Sequence, residues 1–178
     1  MKMDTWFLPS DCKIEYNRNG SMNLEENQIK TIEALANHEA AISQLYRKYS
    51  GKFPDYEQFW LGLAEEEVLH TKWIRELRDD IEEGTLFFDE SRFNIIGVQT
   101  SLNYIKKQIV DSENQEISLQ FALILALDIE NALLERKYFE MFEGDSVKFK
   151  HVLQDLAEAT ELHRDRIEKA LKEAKQAL

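Results

Sequence analysis

The stretch Glu65-Glu66-Glu67-Val68-Leu69-His70 decides how this 178-residue chain is read. Glu67 and His70 stand three apart, and positions i and i+3 of an α-helix project to the same side, one turn apart. A carboxylate and an imidazole on adjacent turns can hold one transition-metal ion together. Alone the pairing is weak, because glutamate is abundant here and many solvated helix faces carry Glu-x-x-His by chance. What matters is whether neighbouring residues bury it, and whether matching ligands stand in matching places elsewhere.

The immediate surroundings favour burial. Phe53-Pro54-Asp55 opens a helix and Gly84 ends it. The apolar face of that helix reads Phe59, Leu63, Glu67, His70, Ile74 and Leu77, with Trp60 and Trp73 beside it. Glu67 and His70 therefore fall on the apolar side. Glu65 points elsewhere, and Glu66 lies at the border, one turn before His70.

Working upstream, Asn23-Leu24-Glu25-Glu26 fits a capping box and starts a helix that runs to about Tyr49. Its apolar positions, Ile32, Leu35, Ala36, Ile42, Leu45, Tyr46 and Tyr49, repeat with the helical period. Glu39 falls inside that stripe. A carboxylate there needs a partner, because an unpaired buried carboxylate is costly or takes up a proton. Ser50-Gly51-Lys52 closes the helix, with Gly51 expected in the left-handed conformation. Residues 1–20 read as an irregular polar leader with an apolar patch, Trp6-Phe7-Leu8-Pro9.

Working downstream, Thr85 to Gln115 is a long connection, and Ile95, Ile96, Val98, Leu102, Ile105 and Ile109 predict a helix from about Ile95 to Asp111. A bundle with one long crossover needs such a segment to bring the chain back to its starting end. The third bundle helix is expected from about Ile117 to Phe142, apolar all round at its start and so deeply buried. Its stripe contains Leu123, Leu127, Glu130, Leu133, Leu134 and Tyr138. The last helix starts near Asp145 or Ser146. It presents Val152, Leu156, Ala159, Thr160, His163, Ile167, Ala170 and Leu171, while Glu158 and Glu161 turn away.

Composition agrees with this pattern. Six Gly and two Pro leave little punctuation for an all-β fold, and the abundance of Leu, Glu, Ala, Ile and Lys favours helices. Residues 21–178 are read as one all-α domain. A net charge of −12 argues against a nucleic-acid partner and against an anionic membrane surface. Cys12 is the only cysteine, so the chain forms no internal disulfide, Cys-x-x-Cys zinc site or rubredoxin-type iron site. The N-terminal residues form no secretory signal, and no apolar run is long enough to span a bilayer. A cytoplasmic location is expected.

The chain also repeats itself. Glu39 is followed by Glu67 and His70; Glu130 is followed by His163 at a similar interval. Tyr46 follows Glu39 and Tyr138 follows Glu130, each about two turns on. Four long helices with two sets of inward Glu and His are the parts of a di-iron or di-manganese carboxylate centre.

On Glu39 with Tyr46, Glu67-Val68-Leu69-His70, Glu130 with Tyr138, and His163 within AEATELHRDRI, the chain resembles the rubrerythrin-like branch of the ferritin-like superfamily. The resemblance covers roughly Asn23 to Ala177. It implies a ferritin-like four-helix bundle with a long crossover connection carrying an extra helix. It also implies two irons between the helices, with manganese or zinc as alternatives, and a reaction with peroxide or dioxygen. Family members are commonly homodimers or larger homo-oligomers. Without a rubredoxin domain, the chain would be of the stand-alone erythrin type and need an external electron donor. Glu39, Glu67, His70, Glu130 and His163 would be the metal ligands, with Glu67 and Glu130 as candidate bridges. Tyr46 and Tyr138 would donate hydrogen bonds to ligand carboxylates; the plain alternative is that both are core aromatics.

One position departs from the family pattern. The last helix should carry Glu-x-x-His, but Thr160 stands three before His163. Glu161 could fill the gap only through a local distortion such as a π-bulge. Two other readings stay open beside the redox enzyme: a scaffold or interaction module whose buried Glu and His pair with one another, and a mononuclear or zinc-filled site without catalysis.

Overall fold

The computed structural model describes residues 18–86, 88, 95–135 and 147–176, with side chains described from residue 25 in the first helix and as far as residue 133 in the fourth. Every element among them is helical: α1 (Arg18–Lys52), a 3-10 turn (Pro54–Tyr56), α2 (Glu57–Glu82), α3 (Ile95–Asn114), α4 (Leu119–Glu135) and α5 (Val147–Gln176). The fold is an all-α helical bundle.

Facing pairs give the direction of each helix. Glu33 meets Arg78, Ser43 Oγ donates to the Ala64 carbonyl, and Tyr49 packs on Trp60, so α1 and α2 are antiparallel. Between α1 and α3 the pairs run the same way: His38 with Ser101, then Lys48 with Glu113. Helix α3 is therefore parallel to α1. Asp80 with Lys148 and Glu66 with Arg166 make α5 antiparallel to α2.

Two helix ends differ from their expected places. Helix α1 begins at Arg18, ahead of Asn23, because no proline stands there to interrupt the hydrogen-bond ladder. At its other end α1 runs through Gly51 to Lys52, and Gly84, with φ of 69°, is the glycine that takes the left-handed conformation. Pro54 ends α1 instead: it lacks an N–H and disfavours helical geometry in the preceding Phe53. Lys52 then ties the end of α1 to the carbonyls of Ser112 and Gln115, at 2.6 and 2.7 Å.

Helix α4 is not buried all round. Ala122, Leu123, Leu125, Ala126, Ile129 and Leu133 face inward, whereas Phe121 and Ile124 are exposed. An apolar run longer than the core needs leaves its outer stripe uncovered in a single chain. The expected extension of this helix to Phe142, its Tyr138, the expected start of the last helix and residues 1–17 lie outside the described residues. No described helix is long and apolar enough to cross a membrane.

One end of the core is closed by aromatics. Trp60, fully buried, sits 5.5 Å from Tyr46, 5.0 Å from Tyr49 and 5.1 Å from Phe59 between ring centroids. Two of the three contacts are edge-on, a geometry worth about 0.5–1.5 kcal/mol per pair beyond the area buried. On α2, Trp60 precedes Glu67 by about two helical turns.

Candidate metal centre

Four helices each deliver part of one buried polar cluster. Helix α1 supplies Glu39, α2 supplies Glu67 and His70, α4 supplies Glu130 and α5 supplies His163; all five are between 0% and 4% exposed. Each side chain occupies a position on its helix where an aliphatic residue would otherwise sit. The helical period that buries Leu63 and Ile74 therefore also buries Glu67 and His70.

The groups alternate along a line. Tyr46 Oη donates to Glu130 Oε1 at 2.6 Å. Glu130 Oε1 lies 3.7 Å from His163 Nδ1, which lies 2.8 Å from Glu67 Oε1. The other Glu67 oxygen, Oε2, is 2.9 Å from His70 Nδ1, and that nitrogen is 3.8 Å from Glu39 Oε2. Glu67 thus offers one oxygen to each imidazole, and the two rings stack at 5.3 Å between centroids. Trp73 closes over His70 at 5.3 Å.

Residues around the cluster hold it in place. His163 Nε2 is 2.6 Å from Glu66 Oε2, and both Glu66 oxygens accept from Arg166 Nη1 at 2.8 and 2.7 Å. This fixes the ring so that Nδ1 faces inward. On the other side of the cluster, His38 Nε2 is 2.9 Å from Ser101 Oγ and His38 Nδ1 is 3.5 Å from Glu39 Oε1.

Thr160 is buried, and its hydroxyl donates to the Leu156 carbonyl of its own helix at 2.8 Å. It offers nothing to the cluster. Helix α5 is regular through this point and Glu161 is exposed, so no π-bulge brings Glu161 inward. The five candidate ligands come together, Tyr46 donates to one of their carboxylates, Glu130 on another helix, and Thr160 adds no fourth carboxylate.

Three supporting residues were not singled out from the sequence. His38 carried a legible signal, since it falls between Leu35 and Ile42 on the apolar stripe of α1. Arg166, one turn after His163, and Ser101 carried none, because their partners are on distant helices. Glu66 was legible only as a border position.

Charges inside the cluster shift one another. Burial pushes the Glu39 carboxyl up, but its contacts with His38, His70 and Glu67 outweigh it and hold Glu39 below the ordinary carboxylate range. For Glu67, burial and the neighbouring Glu39 charge win, and its carboxyl is pushed up to about 7. Where two carboxylates share a site, one keeps its proton. Burial disfavours a charged His70, yet the Glu39 and Glu67 carboxylates raise it to about 9. Burial likewise opposes charge on His163, but Glu130 and Glu67 raise it to about 11. Burial first, and then the Glu130 and Glu67 charges, lift the Tyr46 hydroxyl well above its usual range, so Tyr46 stays a donor. Partial burial opposes ionisation of Glu66, but Arg166 and His163 outweigh it and keep Glu66 below the ordinary range.

The donor set suits a metal ion. Glu67, His70 and His163 each place one donor atom within 4.8 Å of the other two. Although His163 Nδ1 approaches Glu67 closely, the contact is not aligned for a hydrogen bond, and this nitrogen and Glu130 Oε2 are buried without a hydrogen-bond partner. Bare buried polar atoms are uncommon in folded proteins, and here two of them belong to residues of one cluster. Imidazole nitrogens with carboxylate oxygens suit iron, manganese or zinc. No family model, curated protein or solved structure matches the chain.

Proposed function

We propose that the chain is a non-haem iron protein of rubrerythrin-like type, an oxidoreductase acting on peroxide or dioxygen at a di-metal carboxylate centre left incomplete at Thr160. One observation carries this reading. Glu39, Glu67, His70, Glu130 and His163 are buried together on four different helices, with both imidazole Nδ1 atoms turned to the shared Glu67.

Bound iron would supply the one-electron steps between ferrous and ferric states that peroxide reduction needs. Each peroxide takes up two electrons and two protons and leaves as two waters, the electrons coming from an external donor. The side chains do the rest. Glu39, Glu67, His70, Glu130 and His163 would hold the metal, with Glu67 between the two halves. Tyr46 orients Glu130 through its hydroxyl, and Glu66 with Arg166 orients His163. A reducing cytoplasm would keep the iron ferrous. The exposed Phe121 and Ile124 of α4, and Val68 and Leu69 of α2, support a homo-oligomer that covers them.

A scaffold without metal is the second reading. The observation favouring it is that carboxylates and imidazoles already pair with each other, as in Glu67 with His70 and Glu66 with His163. Metal analysis of protein grown with added iron separates the two. Near two irons per chain is expected for a full centre, and a value near zero sinks the enzyme reading. Thr160→Glu is expected to raise metal content; no change would favour the scaffold.

A further inference from the structure

We propose that His38 is a third imidazole ligand of the centre, bound through Nδ1 beside Glu39, supplying the sixth donor that Thr160 does not. The proposal rests on the metal-binding reading above and goes further by adding a residue to the ligand set.

His38 is 2% exposed, on α1. Its Nε2 is anchored at 2.9 Å to Ser101 Oγ of α3. Its Nδ1 is buried and has no hydrogen-bond partner. That nitrogen faces Glu39 Oε1 at 3.5 Å, a contact that fails as a hydrogen bond but not as a spacing between two ligands. Nitrogen and oxygen donors bound to one ion at about 2.0–2.2 Å each stand roughly 3–3.5 Å apart. A metal-binding histidine commonly has one ring nitrogen tied to a polar neighbour and the other held bare toward the ion. His38 has both features.

The placement also extends the alternation of the cluster. Glu39 stands between His38 and His70, one oxygen toward each, just as Glu67 stands between His70 and His163. With His38 counted, three carboxylates and three imidazoles make up the proposed donor set. That is the six donors of a four-Glu, two-His set, with one oxygen donor exchanged for nitrogen.

The test loads the full chain with Cu2+ and counts coordinated imidazoles by pulsed electron paramagnetic resonance. All proteins carry His151→Gln, which removes the one exposed histidine. Three imidazoles are expected in this parent and two after His38→Gln, with Cu2+ affinity lower by about 10–100-fold. Ser101→Ala, which keeps the ring and loses only its anchor, is expected to retain three. A count of two in the parent, or an unchanged count after His38→Gln, overturns the proposal. If His38→Gln weakens binding but leaves the count unchanged, His38 only positions Glu39, and the proposal fails. A parent that binds neither Cu2+ nor iron overturns the metal reading as well, whereas one that binds with two imidazoles overturns only this proposal. If His38→Gln fails to fold, the parent count alone decides.

Discussion

On the α1–α2 side of the centre, Glu39 and His70 face Glu67. On the α4–α5 side, Glu130 and His163 face the same Glu67, and Thr160 stands where a second carboxylate would repeat it. The first side is complete from its own hairpin. The second is not, and it is held from across the bundle: Tyr46 of α1 reaches Glu130, and Glu66 of α2 reaches His163. The difference teaches that the buried cluster, a candidate metal centre, is not two equal halves. The α1–α2 hairpin supplies the shared carboxylate and most of the groups that fix the other half's ligands. Losses on α1–α2 should therefore damage both sides, and losses on α4–α5 should damage one.

Glu67→Gln is the strongest way to break this arrangement. Each Glu67 oxygen faces a different imidazole. A glutamine keeps one acceptor and turns an NH2 toward the other ring. Iron content should fall to near zero, and the metal-free protein should lose about 1–3 kcal/mol in denaturant titrations as one buried contact becomes donor against donor. Retention of one iron per chain would show that the halves do not depend on a common carboxylate.

Acidity should sharpen the same picture in metal-free protein. His70 titrates at about 9 in the fold against an ordinary 6.5, so its charged form stabilises the fold. That contribution is complete below pH 6.5 and is lost as pH rises through 9. Glu67, pushed up to about 7 from an ordinary 4.5, acts in the same direction at lower pH. Metal-free stability should thus decline from about pH 5 to pH 9. Metal must displace the His70 proton, so its affinity should climb about tenfold per pH unit for each proton released. Thermal melts with and without metal across this range check both slopes; a metal-free protein that gains stability from pH 6.5 to 9 would contradict the assigned charges.

Much of the centre was legible because a charged residue inside an apolar stripe is a local pattern. Glu39, Glu67, His70, Glu130 and His163 each broke a run of aliphatics at helical spacing, and the fold buried all five. Thr160 was legible as a gap for the same reason. Tyr46 could be read as a donor only by its place after Glu39, and its actual partner is Glu130 on another helix. Glu66 stayed at the border and Arg166 gave no signal, because half-buried charges look like surface charges until the helix that meets them is known. The start of α1 and the helical Gly51 were misread from local signals, where hydrogen-bond continuity and Pro54 decide instead.

Glu66→Gln probes the reach of the first side into the second. Its carboxylate holds His163 Nε2 and Arg166 together. The amide cannot match both, so the ring loses its fixed orientation while all five ligands remain. A fall in metal affinity of about 10–100-fold is expected, read by competition with a chelator. An equal fall for the ion nearest His70 would mean that the halves share more than Glu67.

The smallest effect should come from Thr160→Ala. The hydroxyl is spent on the Leu156 carbonyl, a bond within its own helix. Such back-bonding adds little to a helix and often bends it. Alanine forms helix better than threonine by roughly 0.5 kcal/mol, while the lost buried methyl costs about 0.8 kcal/mol. These nearly cancel, so stability should stay within about 1 kcal/mol of the parent. Metal content should not move at all. A clear loss of metal would mean that the hydroxyl turns to the ion when metal is bound, and the second half would then have a sixth donor of its own. Unchanged metal content would leave Thr160 a filler on α5, with the shortfall made good, if at all, from α1.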